Sequence, residues 1–109
     1  MSVYPSTQIK GVKRLAKLFE KGQLSSATAQ TLTKLVDLEA DKLRLQLEDI
    51  QRVMADFERQ YSMTTIEFYK KYQASETDDR MDYAEWAGLT QMADNLREQI
   101  HLLTSEKPA

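Results

Sequence analysis

The chain has 109 residues, a formal net charge of −2, 29% charged and 41% hydrophobic side chains, three glycines, two prolines and no cysteine. Those values describe one small globular domain. They exclude a disulfide framework, a thiolate nucleophile and a zinc–thiolate site, and no stretch approaches the roughly eighteen apolar residues of a membrane span.

The start, MSVYPSTQIKGVK, lacks the apolar run of a signal peptide, so the expected location is the cytoplasm. Charge is uneven along the chain. Residues 1–24 carry Lys10, Lys13, Arg14, Lys17 and Lys21 against Glu20, whereas residues 76–109 carry eight acids against Arg80, Arg97 and Lys107.

A first helix is predicted over about residues 7–21, capped by Ser6 or Thr7 and ended by Gly22. Ile9, Val12, Leu15, Ala16 and Phe19 share one face and the basic residues fill the other. A second helix is predicted from about Ser26 to about Gln60. Along it Val36, Ala40, Leu43, Leu47, Ile50, Met54, Phe57 and Tyr61 alternate four and three apart, which is a heptad seam. Leu32, Leu35, Leu38, Leu45 and Val53 lie off that seam and widen the apolar surface. At about 1.5 Å per residue this spine is roughly 50 Å long, too long for one short neighbour to cover. Val36, Leu43, Leu47 and Ile50 are therefore the candidate seam of a homodimer.

Thr64 and Glu67 form a capping box, with Met63 and Phe68 in the positions of a hydrophobic staple. They predict a third helix over about 65–74. Asp82 and Glu85 repeat the device, with Met81 and Trp86 as the staple pair. They predict a fourth helix over about 83–103, whose seam is Trp86, Leu89, Ala93, Leu96, Ile100 and Leu103. The expected fold is all-α, a single domain over residues 1–109 with coiled-coil-like packing. The first helix folds back as an N-terminal hairpin on the long central helix. The fourth returns antiparallel along it, with the third as the corner.

Few residues point to catalysis. Asp79, Asp82 and Glu85 have spacing that a helix can align, but Glu76 to Glu85 lacks the glycine turn and alternate ligands of a calcium loop. Helical di-metal sites need paired carboxylates on facing helices, and Glu39, Glu48, Asp49, Asp56 and Glu58 supply no matching inward pair. His101 has no acid placed to orient it with Ser105. No glycine-rich phosphate loop is present. The reading is therefore non-enzymatic, with no catalytic residue, metal ligand or cofactor. The basic face of the first helix can meet DNA phosphates, but it lacks interleaved aromatics, so DNA is not the favoured partner; a membrane partner is not expected.

Tyr61, Phe68, Tyr69, Tyr72, Tyr83 and Trp86 are six of the nine aromatic residues. They make a structural corner together with Thr64, Glu67, Asp82 and Glu85. Phe68, Tyr72 and Trp86 are expected inward, with Tyr69 or Tyr83 outward as a partner anchor. Glu76, Asp78 and Asp79, free of capping duties, complete the candidate protein-binding surface with Tyr69 and Tyr83.

The stretch YSMTTIEFYKKYQASETDDRMDYAEWAGL resembles a pattern in small helical antitoxin-like proteins of bacterial and archaeal toxin–antitoxin gene pairs. That pattern is Tyr-Gly-Met, a capped Glu-Phe-Tyr helix, an acidic linker, Asp-x-x-Glu-Trp and a helical tail. Tyr61, Met63, Glu67, Phe68, Tyr69, Asp82, Glu85 and Trp86 match it, Ser62 replaces its glycine, and ASETDD replaces a Gly-Glu-Leu-Gly-type linker. The resemblance implies a non-enzymatic protein that neutralises a toxin encoded beside it, often of ribonuclease type. The competing expectation is a structural coiled-coil adaptor or dimerisation protein, with a helical metal-dependent hydrolase behind both.

Overall fold

The computed structural model describes residues 6–105, and side-chain surroundings from residue 10. Every regular element among them is helical: α1 (Ser6–Glu20), α2 (Ser26–Tyr61), α3 (Thr65–Gln73) and α4 (Met81–Thr104). The expected capping by Ser6 or Thr7 and the burial of Ile9 concern side chains outside those described. The chain divides into two compact units, Met1–Val36 and Asp37–Ala109, with the division falling inside α2.

In the first unit the local signals act as the sequence expects. Gly22 adopts a left-handed φ of 66°. Its N–H donates to the Phe19 carbonyl (3.0 Å) and the Gln23 N–H to the Leu18 carbonyl (2.9 Å), which is the Schellman arrangement that ends a helix. Ser25 Oγ accepts the Thr28 N–H at 3.2 Å and starts α2. Leu15, Leu24 and Leu32 are half-buried, and no described side chain of this unit is buried. On the apolar face of α1, Val12 and Phe19 are exposed.

The second unit holds the core. Met54, Phe57, Phe68, Trp86, Ala87 and Ala93 form one buried cluster, against which Leu47, Ile50, Tyr61, Met63, Tyr69, Tyr83 and Leu89 pack. Ala40, Leu43 and Leu96 are buried as well. From Ala40 onward the heptad positions of α2, and those of α4, are buried or half-buried. The exposed faces carry repeated Asp-x-x-Arg pairs, Asp41–Arg44, Asp49–Arg52, Asp56–Arg59 and Asp94–Arg97. Exposed pairs at this spacing contribute only a few tenths of a kcal/mol each, about 0.3–0.5.

Two serines do what glycine usually does. Ser62 follows α2 with φ 54°, and Ser75 follows α3 with φ 57°. Ser75 N–H donates to the Tyr72 carbonyl (3.1 Å) and Glu76 N–H to the Lys71 carbonyl (2.8 Å), a second Schellman ending. A side chain in the left-handed region costs about 1–2 kcal/mol, partly offset because serine restricts the unfolded chain more than glycine does. Ser62→Gly and Ser75→Gly should each stabilise the protein by up to about 1 kcal/mol, read as a rise in the urea midpoint at unchanged slope.

Candidate protein-binding surface

The corner is built from the N-terminus of α3. Thr64 caps it in full: its Oγ1 accepts the Glu67 N–H at 3.1 Å, and Glu67 Oε1 accepts the Thr64 N–H at 3.4 Å. Glu58 of α2 adds a cap that the sequence pattern did not disclose, accepting the Thr65 N–H at 2.7 Å. Thr65, fixed in this way, turns its hydroxyl to the Trp86 indole and accepts its N–H at 3.0 Å. Trp86 and Phe68 are the largest fully buried side chains among the described residues. Their rings stack with centroids 3.9 Å apart, and Phe57 covers the indole at 5.6 Å.

The second capping box does not form. Helix α4 starts at Met81 with Arg80 as N-cap and no side-chain cap bond. Asp82 therefore sits inside the first turn and turns its carboxylate to α2, where it accepts the Tyr61 hydroxyl at 2.5 Å. That bond is the first cause of a raised Tyr61 pKa, because only the neutral phenol can donate it to the carboxylate. Glu85 is exposed, and Met81 is 86% exposed, so no staple joins Met81 to Trp86. Nor is Asp78 idle. It accepts from Arg80 Nε (2.9 Å), Nη2 (2.7 Å) and the Arg80 backbone N–H (3.1 Å). Arg80 in turn lies over the Tyr83 ring (4.8 Å) and the Tyr61 ring (5.5 Å). These bonds favour the charged forms, lowering the Asp78 pKa and raising that of Arg80. A carboxyl with a depressed pKa contributes its stabilisation above the unfolded-state value, near 4, and loses it as pH falls through the lower folded-state value.

The residues expected to meet a partner do not form one patch. Tyr83 is half-buried, tilted against Phe68 and Tyr61. Tyr69 is half-buried and its hydroxyl accepts from Gln91 Nε2 at 3.0 Å. It lines a groove of about 650 Å³ with Met54, Ala55, Ile66, Thr90 and Arg97. Tyr72, expected inward, is instead 37% exposed at the end of α3. With Ser75, Asp78, Asp79 and Arg80 it lines a separate hollow of about 490 Å³. Glu76 and Asp79 are exposed, and neither has an ion-pair partner among the described residues. Of the seam candidates, Leu43 is buried, Leu47 and Ile50 are half-buried against the core, and Val36 is exposed. His101 is exposed. Among the described residues no group of three or more His, Cys, Asp or Glu side chains is placed to hold a metal ion.

Arg80, Thr65 and Glu58 are the functional neighbours that sequence reasoning missed. The Asp78-x-Arg80 spacing is a local signal for the first. The other two act through contacts between helices. No family model, curated protein or solved structure matches the chain.

Thr65→Val removes the acceptor of a buried indole N–H and should destabilise the protein by about 1–3 kcal/mol. Trp86→Ala should cost about 3–5 kcal/mol, and Thr64→Ala about 1 kcal/mol. Urea unfolding of the three variants checks that order.

Proposed function

We propose that this chain is a non-enzymatic, antitoxin-like binding module that neutralises a basic toxin, such as a ribonuclease, encoded beside it. One observation carries the reading. Thr64, Glu67, Asp78 and Asp82 of the corner are held by internal bonds, while Glu76 and Asp79 are exposed without an ion-pair partner among the described residues, and Asp79 lines one hollow with the exposed Tyr72. Unpaired acids around an aromatic edge suit a cationic protein surface, and they act mainly by speeding association. Tyr72 therefore takes the anchoring place expected of Tyr69 or Tyr83. In this reading α4 returns antiparallel along the second half of α2 with α3 as the corner. The Tyr61–Asp82 bond at one end and the shared cluster of Met54, Phe57, Trp86 and Ala93 support it.

Co-expression and pull-down with the product of the adjoining reading frame is the direct test. Exchanging Glu76→Gln and Asp79→Asn together, with Asp78 kept because it holds Arg80, should leave helicity unchanged. It should also slow association with that partner severalfold and flatten its salt dependence. Unchanged kinetics move the interface away from the α3–α4 link.

Self-association, whether beside this role or as an adaptor's whole function, is favoured by Leu38 and Leu45, which are 53% and 62% exposed on α2. Leu45→Asp should convert a dimer to a folded monomer by light scattering. Leu43→Asp, at a position the chain itself covers, should unfold the protein. A wild type that is monomeric at micromolar concentration removes the dimer.

A further inference from the structure

Helix α1 carries a feature that the toxin-binding reading does not use. At about 100° per residue, Val12, Leu15, Ala16 and Phe19 fall on one side of it. Lys10, Lys13, Arg14 and Lys17 fall on the other, Lys21 follows just past the helix end, and Glu20 is the only acid in the helix. Lys13 and Arg14 border the apolar arc on its two edges. Among the described side chains of that arc Val12 is 66% and Phe19 64% exposed, Leu15 is half-buried, and the nearby Leu18 is exposed too. The unit that contains α1 has no buried side chain among its described residues.

We propose that α1 is an interfacial helix that lies on the surface of an anionic lipid bilayer. A duplex would use the five cations and leave Val12 and Phe19 in water. A protein groove would take the apolar side and use the cations only where its rim is acidic, and a helix made for such a groove would leave anionic vesicles unbound. A second copy of α1 offers a 15-residue helix, too small to supply the roughly 800 Å² per partner of a stable interface. A bilayer takes both sides. The apolar arc sinks about 5–10 Å into the boundary between headgroups and acyl chains. The long stems of Lys13, Arg14 and their neighbours let the charged ends bend back to the phosphates. No described helix is long and apolar enough to cross the membrane, so the contact is along its surface. This departs from the sequence expectation of no membrane partner, and the exposure of Val12 and Phe19 is what redirects it.

The test uses the full chain and sedimentation with phosphatidylcholine vesicles, with and without about one third phosphatidylglycerol. Binding should be at least about tenfold stronger to the anionic vesicles and should weaken as salt rises. Val12→Asp with Phe19→Asp should abolish it at unchanged helicity by circular dichroism. Lys13→Gln with Lys17→Gln should weaken it severalfold while leaving the apolar side intact. Three results overturn the proposal: no binding to anionic vesicles at low salt, binding indifferent to the Val12 and Phe19 changes, or a solution dimer that those changes dissociate. None of these results bears on the α3–α4 link, so the toxin-binding reading stands or falls separately.

Discussion

An indole N–H enters a protein interior only with an acceptor in place, and the second unit is arranged around meeting that condition for Trp86. The acceptor is the hydroxyl of Thr65, the first residue of α3. Thr65 is held in turn by Glu58 reaching over from α2, and the helix start around it by Thr64 and Glu67. Phe57 from α2 and Phe68 from α3 then cover the ring. One side chain of α4 is thus tied to two other helices through both its polar atom and its π-faces. Short polar bonds set the direction of α3, and aromatic area supplies most of the energy that keeps it there.

Charge has a different distribution of duties. On the helices aspartate and arginine neutralise each other locally, three residues apart. At the corner they bind across elements: Asp82 to Tyr61, and Asp78 to an arginine that covers two tyrosines. Among the described residues, Glu76 and Asp79 beside the corner are exposed and without an ion-pair partner. Met54, Ala55 and Ile66 supply apolar lining to the 650 Å³ groove. Two of its charged members, Glu58 and Arg97, are bonded to Thr65 and Asp94 of the same lining.

Local chemistry was the legible part of the sequence. The four helices, the Gly22 ending, the Thr64 box and the inward heptads of α2 and α4 all follow from neighbours within a turn or two. Asp82 shows why that legibility stops. An acid three residues before a glutamate marks either an N-cap or the inside of a first turn, and spacing alone does not separate them. The choice was made by Tyr61, twenty-one residues away, which offers Asp82 a hydroxyl. Tyr69 and Tyr72 were exchanged for a similar reason: a nine-residue helix with three aromatics has more apolar faces than one core contact can use. Its end position leaves Tyr72 partly in solvent. Glu58 and Thr65 gave no signal, because their roles exist only once α2, α3 and α4 have met.

Arg80 has a consequence for how the chain can vary. Surface connections ordinarily accept extra residues at little cost, because lengthening a loop adds slowly to its closure entropy. The connection between α3 and α4 is exposed and rich in polar residues, so by composition it looks equally permissive. Yet the Ser75 and Glu76 N–H groups close one end of it with two backbone bonds, and a single residue separates Asp78 from the arginine whose guanidinium roofs Tyr61 and Tyr83. An insertion after Asp78 would pull the carboxylate out of step with Arg80 and uncover both rings. Related chains should therefore vary at the other positions of this seven-residue connection, and hardly at all in its length or in the Asp78–Arg80 pair.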